Sequence, residues 1–350
     1  MRKLKILYAG SPLASSMVLK NLIALGSEHG YEIAAVLTNP PSPRGRHKEL
    51  IPTEVAQVAQ AHGIPMLAFD HLKAEAREAA APVGADLLVS FDYGRIFGEK
   101  FLALFPLGGI NLHPSALPKY RGCTPVPAAI LNGDKTIGIA VQKLALKMDE
   151  GDILAQTTIS LDGTETTGWL MDGDGTHSTV TDAGIKLLDG VLTAIVATAS
   201  KISTTGANPA ANENNSAVDK NPFSLPPATP QTGEATYTGF LKKEDGIINW
   251  KKSAAELDRQ IRAYTPWPSC ATSCNGTNLL VLKAHPSSDG AKTNFPAGTV
   301  LPYRKAFGIE IACGDGSVLV ATELQWQAKK AMDYKSFMNG ARNFVGSVLG

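Results

Sequence analysis

The sequence predicts an α/β protein in two parts, a parallel β-sheet flanked by helices and then a smaller β domain, on three observations. Short apolar runs at Leu4 to Ala9, Ile33 to Thr38, Met66 to Phe69, Asp86 to Phe91 and Gly109 to His113 alternate with helical stretches, the pattern of a parallel sheet covered on both faces. From Ser200 to Glu234 the composition turns to Ser, Thr, Asn, Ala and Pro, which reads as a linker. Beyond it, Leu279 to Ala284, Gly298 to Leu301, Gly308 to Ala312 and Ser317 to Thr322 are short strand-like runs separated by turns, a composition that fits a small β-barrel. The expected boundaries are therefore 1–199, a linker at 200–234, and 235–350.

The first ten residues, MRKLKILYAG, begin like a charged leader, but Gly10, Ser11 and Pro12 cut the apolar run short, so it reads as a first strand. GSPLAS after it lacks the G-x-G-x-x-G spacing that brings backbone close to a pyrophosphate. A nicotinamide site is therefore not expected there. The loop Thr38 to Leu50 is rich in proline and carries Arg44, Arg46, His47 and Lys48; such a run is ordinarily solvated surface. The loops after Ala9, Thr38, Phe91 and His113 all fall at carboxyl ends of strands, where open α/β sheets place their ligand. Ile137 to Leu146 and Ile153 to Ile159 flank a turn holding Asp149, and Ile185 to Ala197 has helical periodicity. Ser253 and Glu256 have capping-box spacing, with Leu257 and Ile261 on one face of the helix that follows.

With 350 residues, 44% hydrophobic and 19% charged, the chain can bury two cores and is too apolar for general disorder. A net charge of +1 sets up no global field for a polyanion, so any nucleic-acid contact must come from a local basic patch. Of the four cysteines only Cys270 and Cys274 are close in sequence, which is not a disulfide framework. No histidine completes a ligand set near them, and no metal is expected. No apolar run reaches the length of about 18 residues that a membrane span needs. With no export signal and sparse cysteine, the cytoplasm is the expected compartment.

The segment from Ile110 to Asp152 carries the chemistry. Residues two apart in a strand share a face, so Asn111 and His113 present their polar groups together before Pro114 turns the chain away. An amine attacking a carbonyl builds a negative oxygen, which calls for a donor aimed at it and a group that relays a proton. Asn111 can donate and His113 can do either, though a single histidine at a strand end is more often simply hydrogen-bonded. Asp149, in KMDEGDIL, is by itself as well read as a turn residue.

Asn111, His113, Ser115, Leu117, Pro118, Arg121, Gly122, Asp149 and Gly151 together reproduce the pattern of the folate-dependent formyltransferases. Within that superfamily the chain resembles the methionyl-tRNA formyltransferase family from Lys5 to about Leu349, including GSP at 10–12, PRGRHK at 43–48, DYGRIF at 92–97, ATYTGFLKKEDGIINW and IRAYTPWP. The resemblance implies a Rossmann-like catalytic domain, then an OB-like tRNA-binding domain. It also implies transfer of a formyl group from 10-formyltetrahydrofolate to the α-amino group of charged initiator methionyl-tRNA by a monomer. It brings Asp149 beside His113, where a carboxylate would favour the imidazolium and fix the ring. Arg95, Ile96 and Phe97 match its pterin-binding strand end and Ser115, Ala116, Leu117 and Pro118 its facing wall, although Ile96 and Phe97 read equally well as core packing. Arg44, Arg46 and Lys48 match its basic loop and so are expected on tRNA. Ala116, Tyr120 and Glu49 stand where the family usually has Leu, often Trp, and commonly a second basic residue. A formyltransferase for a small-molecule acceptor, a formyl-folate hydrolase, or a non-catalytic RNA-binding protein are the alternative readings; the basic loop and second domain favour tRNA, and the three catalytic residue types favour an enzyme.

Overall fold

The computed structural model describes residues 2–44, 48–204, 221–341 and 343–350. They form two compact units interleaved along the chain: Met1–Cys123, Ile137–Ile159 and Leu170–Tyr237 in the first, and Thr124–Thr136, Ser160–Trp169 and Thr238–Gly350 in the second.

The first unit is built on a seven-stranded sheet in the order Ile153–Ser160, Thr136–Lys143, Gly109–His113, Leu87–Ser90, Leu4–Ala9, Tyr31–Thr38, Met66–Ala68. The last five of these run parallel, and Thr136–Lys143 is antiparallel to Gly109–His113. Strands buried on both faces are near-continuously apolar, and the pleat of Leu4–Ala9 shows both faces in use. Leu7 and Ala9 join Ala35, Leu37 and Leu88 in a core with Ala76, Ala80, Phe101 and Phe105. Tyr8, pointing the other way, donates its hydroxyl to the carbonyl of Ser15 at 2.9 Å, in helix Leu13–His29. All five expected strands are present within a few residues.

The helix expected at Ile185 to Ala197 spans Thr179–Thr204. It begins earlier because Ser178 Oγ accepts the Thr181 amide at 3.1 Å, a cap that hydrophobic periodicity does not reveal. It also runs past Ser200, where the linker was expected to begin. Of that expected linker, residues 205–220 lie outside the described residues. Residues 221–237 pack on the first unit: Asn221 donates to Asp86 at 3.0 Å, Phe223 is buried with the Arg2 guanidinium 5.8 Å from its ring centre, and Thr229 exchanges backbone hydrogen bonds with Ile153. Their polar composition hides this, because backbone groups and one aromatic supply the anchoring.

In the second unit, helix Ala254–Ala263 opens with the Ser253–Glu256 capping box and buries Leu257 and Ile261. An antiparallel sheet follows in the order Cys270–Cys274, Thr277–Pro286, Val318–Trp326, Ile309–Ala312, with Met332–Asp333 beside Val318–Trp326. A small OB-like β-barrel was expected; the small β domain is present, and among the described residues its ladder stays open. Gly298 to Leu301 forms no strand; it carries the isolated bridges Thr299 to Val348 and Val300 to Ile311 and exchanges backbone hydrogen bonds with Glu310 to Ala312. Cys270–Cys274 was not foreseen as a strand. Its alternation puts Cys270, Thr272 and Cys274 inward, a period-two signal obscured by reading the cysteines as a possible ligand pair. Burial pushes the Cys270 thiol up to about 12, so it behaves as a small apolar core residue.

Candidate active site

The loops at the carboxyl ends of the parallel strands are tied to one another in the first unit. Asn39, after strand Tyr31–Thr38, donates its side-chain amide to Ser11 Oγ at 2.9 Å and to the carbonyl of Tyr93 at 3.1 Å, while its carbonyl accepts from Arg95 Nε at 2.5 Å. One amide thus joins the GSP loop to the DYGRIF loop. Asn39 was missed because an Asn before two prolines reads simply as turn chemistry.

The expected ligand residues divide by environment. Arg95 lies between Asn39 and Asp70, 3.6 Å from the latter. Ile96 is 70% exposed, whereas Phe97 is buried with its ring stacked on Tyr93 at 5.4 Å. The side chain of Phe97 therefore belongs to the core, and only its backbone can face a ligand. Ser115 is buried with its hydroxyl unpartnered among the described residues. Ala116 lies against Gly138, where an added Cβ would come within 2.1 Å of the Ala116 nitrogen. That missing Cβ lets Ser115 to Pro118 approach the sheet. Leu117 is buried and Pro118 partly so.

The proline-rich loop contains a hairpin, Ser42–Arg44 with Glu49–Ile51. Lys48 is exposed in it, at a left-handed φ of 52°. Arg46 lies outside the described residues.

Asn111, His113 and Asp149 come together. His113 ends strand Gly109–His113, buried, with Nε2 3.0 Å from the carbonyl of Tyr120. A carbonyl only accepts, so Nε2 carries the proton and donates. Nδ1 faces Asp149 Oδ2 at 3.8 Å, an electrostatic contact longer than a hydrogen bond. Asp149, at a left-handed φ of 54°, accepts the Gly122 amide at Oδ2 (2.8 Å) and the Gln142 side-chain amide at Oδ1 (2.7 Å). Asn111 is half-buried, directly opposite Gln142 in the ladder, and its side chain makes no hydrogen bond among the described residues. Gln142, only 1% exposed, and Gln231, which donates to the carbonyls of Asp149 at 2.8 Å and Gly151 at 2.7 Å, escaped the sequence reading. A lone Gln in the apolar strand TIGIAVQK was the available signal for the first; Gln231 had none.

Cys123 is exposed next to this cluster, where partial burial and the Asp149 and Asp92 carboxylates hold its thiol above the usual range. Asp92, in the DYGRIF loop, is reached by solvent yet hemmed in by protein; that partial burial and the nearby Asp172 push its carboxyl up to about 6. An acid with a raised folded-state pKa adds stability below its unfolded pKa, and that stability is lost as pH rises through the folded value. Asp92→Asn should therefore raise the melting temperature at pH 8 relative to the parent, with the difference vanishing below pH 4. Melting curves at both pH values check this; an equal difference at both would refute it.

Residues 2–174 match the formyl transferase family and residues 241–342 the formyl transferase C-terminal domain. These matches define a formyltransferase. The chain is 39% identical to methionyl-tRNA formyltransferase of Treponema denticola, over 98% of both chains, and 32% identical to that of Bacillus subtilis, over 99% of this chain and 98% of the other. It belongs to the methionyl-tRNA formyltransferase family. Two solved structures share its fold: WlaRD, a sugar 3N-formyl transferase, with TM-score 0.56 and 17% identity over 94% of this chain and all of that one, and HypX from Aquifex aeolicus in complex with tetrahydrofolic acid, with TM-score 0.56 and 15% identity over 97% of this chain. This chain spans about half of HypX, 48% of its length. No helix among the described residues is long and apolar enough to cross a membrane.

Proposed function

We infer that the protein transfers a formyl group to the α-amino group of methionyl-tRNA, giving N-formylmethionyl-tRNA for translation initiation. We assign 10-formyltetrahydrofolate as donor, charged initiator methionyl-tRNA as acceptor, and a cytoplasmic monomer as the working form. The observation that carries the catalytic reading is the meeting of Asn111, His113 and Asp149, with His113 Nδ1 3.8 Å from the Asp149 carboxylate. The attacking amine must be neutral, and with an ordinary pKa of about 8 a useful fraction is so near neutrality. The unpartnered amide of Asn111 is suited to donate to the oxyanion that forms on the formyl carbon, and His113 shares in stabilising that charge. Asp149 and the Nδ1 edge of His113 are suited to move the proton from the attacking amine toward the departing folate nitrogen.

The residues present suit a folate, a ring with a polar edge. The unpartnered hydroxyl of buried Ser115, the backbone of Ala116 and Leu117 over Gly138, the exposed Ile96 and the guanidinium of Arg95 would hold it. The bound folate supplies the activated formyl group.

Radiolabelled formyl donor should label charged initiator tRNA and leave uncharged tRNA and free methionine unlabelled. Label released to water, or passed to a sugar nucleotide in preference, would overturn the acceptor assignment. The basic loop supports tRNA: Arg44, Arg46 and Lys48 contacting phosphates would release counterions. Arg46→Ala should raise the KM for charged tRNA and flatten the salt dependence of binding while the folate KM stays unchanged. Salt-independent tRNA affinity in the parent would return the loop to plain solvated surface.

A further inference from the structure

We propose that Arg121, Gln231 and Gln142 form a one-way chain of hydrogen bonds that presents an N–H, never a carbonyl, to Asp149, which makes both glutamines positioning residues for formyl transfer. The inference rests on the catalytic reading of Asp149 given above.

The direction of the chain follows from what each group can do. A guanidinium has five donors and no acceptor. Arg121 donates from Nε at 3.1 Å and Nη2 at 2.8 Å to a single atom, Oε1 of Gln231. That fixes which end of the Gln231 amide faces Arg121. Its Nε2 is then turned to three oxygens, the carbonyls of Asp149 and Gly151 and Oε1 of Gln142 at 3.2 Å. The Gln142 oxygen is thereby held by Gln231, so its own Nε2 must point to Asp149 Oδ1, at 2.7 Å. A carboxamide can flip at little cost when its surroundings do not discriminate. Here a flip at either glutamine would set oxygen against oxygen, and at Gln142 the opposing oxygen belongs to a carboxylate.

Two consequences bear on chemistry. Hydrogen bonds that end on a charge are the stronger and shorter kind, so the chain fixes the Asp149 carboxylate while leaving the Oδ2 side toward His113. Gln231 also clamps the backbone of the Asp149 loop from a segment 82 residues away. The charged and titratable groups facing the cluster are His113 and Cys123 on one side, and on the other Arg121 with Glu150, whose carboxylate lies 3.3 Å from Arg121 Nη1. Arg121 Nη1 further donates to the Tyr237 hydroxyl at 2.9 Å, which helps hold the guanidinium still.

Gln231→Glu and Gln142→Glu test the proposal, because each keeps size and shape while replacing the donating NH2 by an acceptor oxygen that is charged when ionised. Gln231→Glu still pairs with Arg121. In both variants kcat should fall about tenfold or more, as for loss of one charge-assisted hydrogen bond, with KM for donor and for charged tRNA within about twofold of the parent. The acidic limb of the kcat profile should move to higher pH in both. Independently of activity, the side-chain amide resonances of Gln142 in nitrogen-15 NMR should shift in Gln231→Glu. Unmoved kcat profiles, or Gln142 resonances unchanged by Gln231→Glu, would overturn the chain. Asp149→Asn separates the two levels. If it retains turnover, the catalytic reading of Asp149 fails; if it is inactive while both Glu variants behave as the parent, only the chain fails.

Discussion

Turnover in the His113→Ala and Asp149→Ala proteins is expected to fall by about two powers of ten or more, while affinity for the folate donor changes little. The asymmetry follows from position. His113 and Asp149 face each other at 3.8 Å, and Asp149 is further held by Gly122 and Gln142. The residues suited to the folate are others, Arg95, Ile96 and Ser115 to Pro118. Losing a group that acts as charge develops lowers kcat, whereas losing uniform binding would raise KM. Single-turnover formyl transfer gives the rate and calorimetry the donor affinity. Near-parental turnover in a folded His113→Ala protein would remove that residue from the chemistry.

Gly151→Ala is expected to lower both stability and turnover. An added Cβ would lie 1.8 Å from the carbonyl oxygen of Lys143 and 2.7 Å from its carbon, and both are backbone atoms that cannot turn aside. The loop is already closed there by the Lys143 amide donating to the Asp152 carbonyl at 2.9 Å and by Gln231 on the Gly151 carbonyl. Overpacking of this kind costs about 1–3 kcal/mol or more. Because Asp149 is two residues away, the shift that relieves the clash also displaces the carboxylate. Gly190→Ala is the internal control: in helix Thr179–Thr204 its Cβ would meet nothing within 4 Å, so the same substitution should stabilise by about 0.5–1 kcal/mol. Denaturant titrations of the two variants check the opposite signs. Unchanged stability in Gly151→Ala would mean the loop relaxes freely and does not hold Asp149.

The meeting of Asn111, His113 and Asp149, proposed as the catalytic trio, was legible in the sequence only in part. Asn111 and His113 share a strand face by a period of two, whereas Asp149 alone reads as a turn residue and comes beside His113 only through the family pattern. The strand-helix alternation of the first unit and the capping box at Ser253 were legible because hydrophobic period and cap chemistry are written in neighbouring residues. Phe97 shows the limit, since a motif position does not reveal whether a ring faces a ligand or the core; only packing against Tyr93 places it inside. The segment 221–237 shows another, because its attachment to the first unit depends on backbone hydrogen bonds and one buried aromatic that composition hides. The chain by itself therefore determined the element types, the family pattern and the three side chains proposed to react. Tertiary structure alone decided what holds Asp149, because Gln142 and Gln231 acquire their partners only when distant strands and loops are packed, and the direction of each amide is set by the neighbour it meets there.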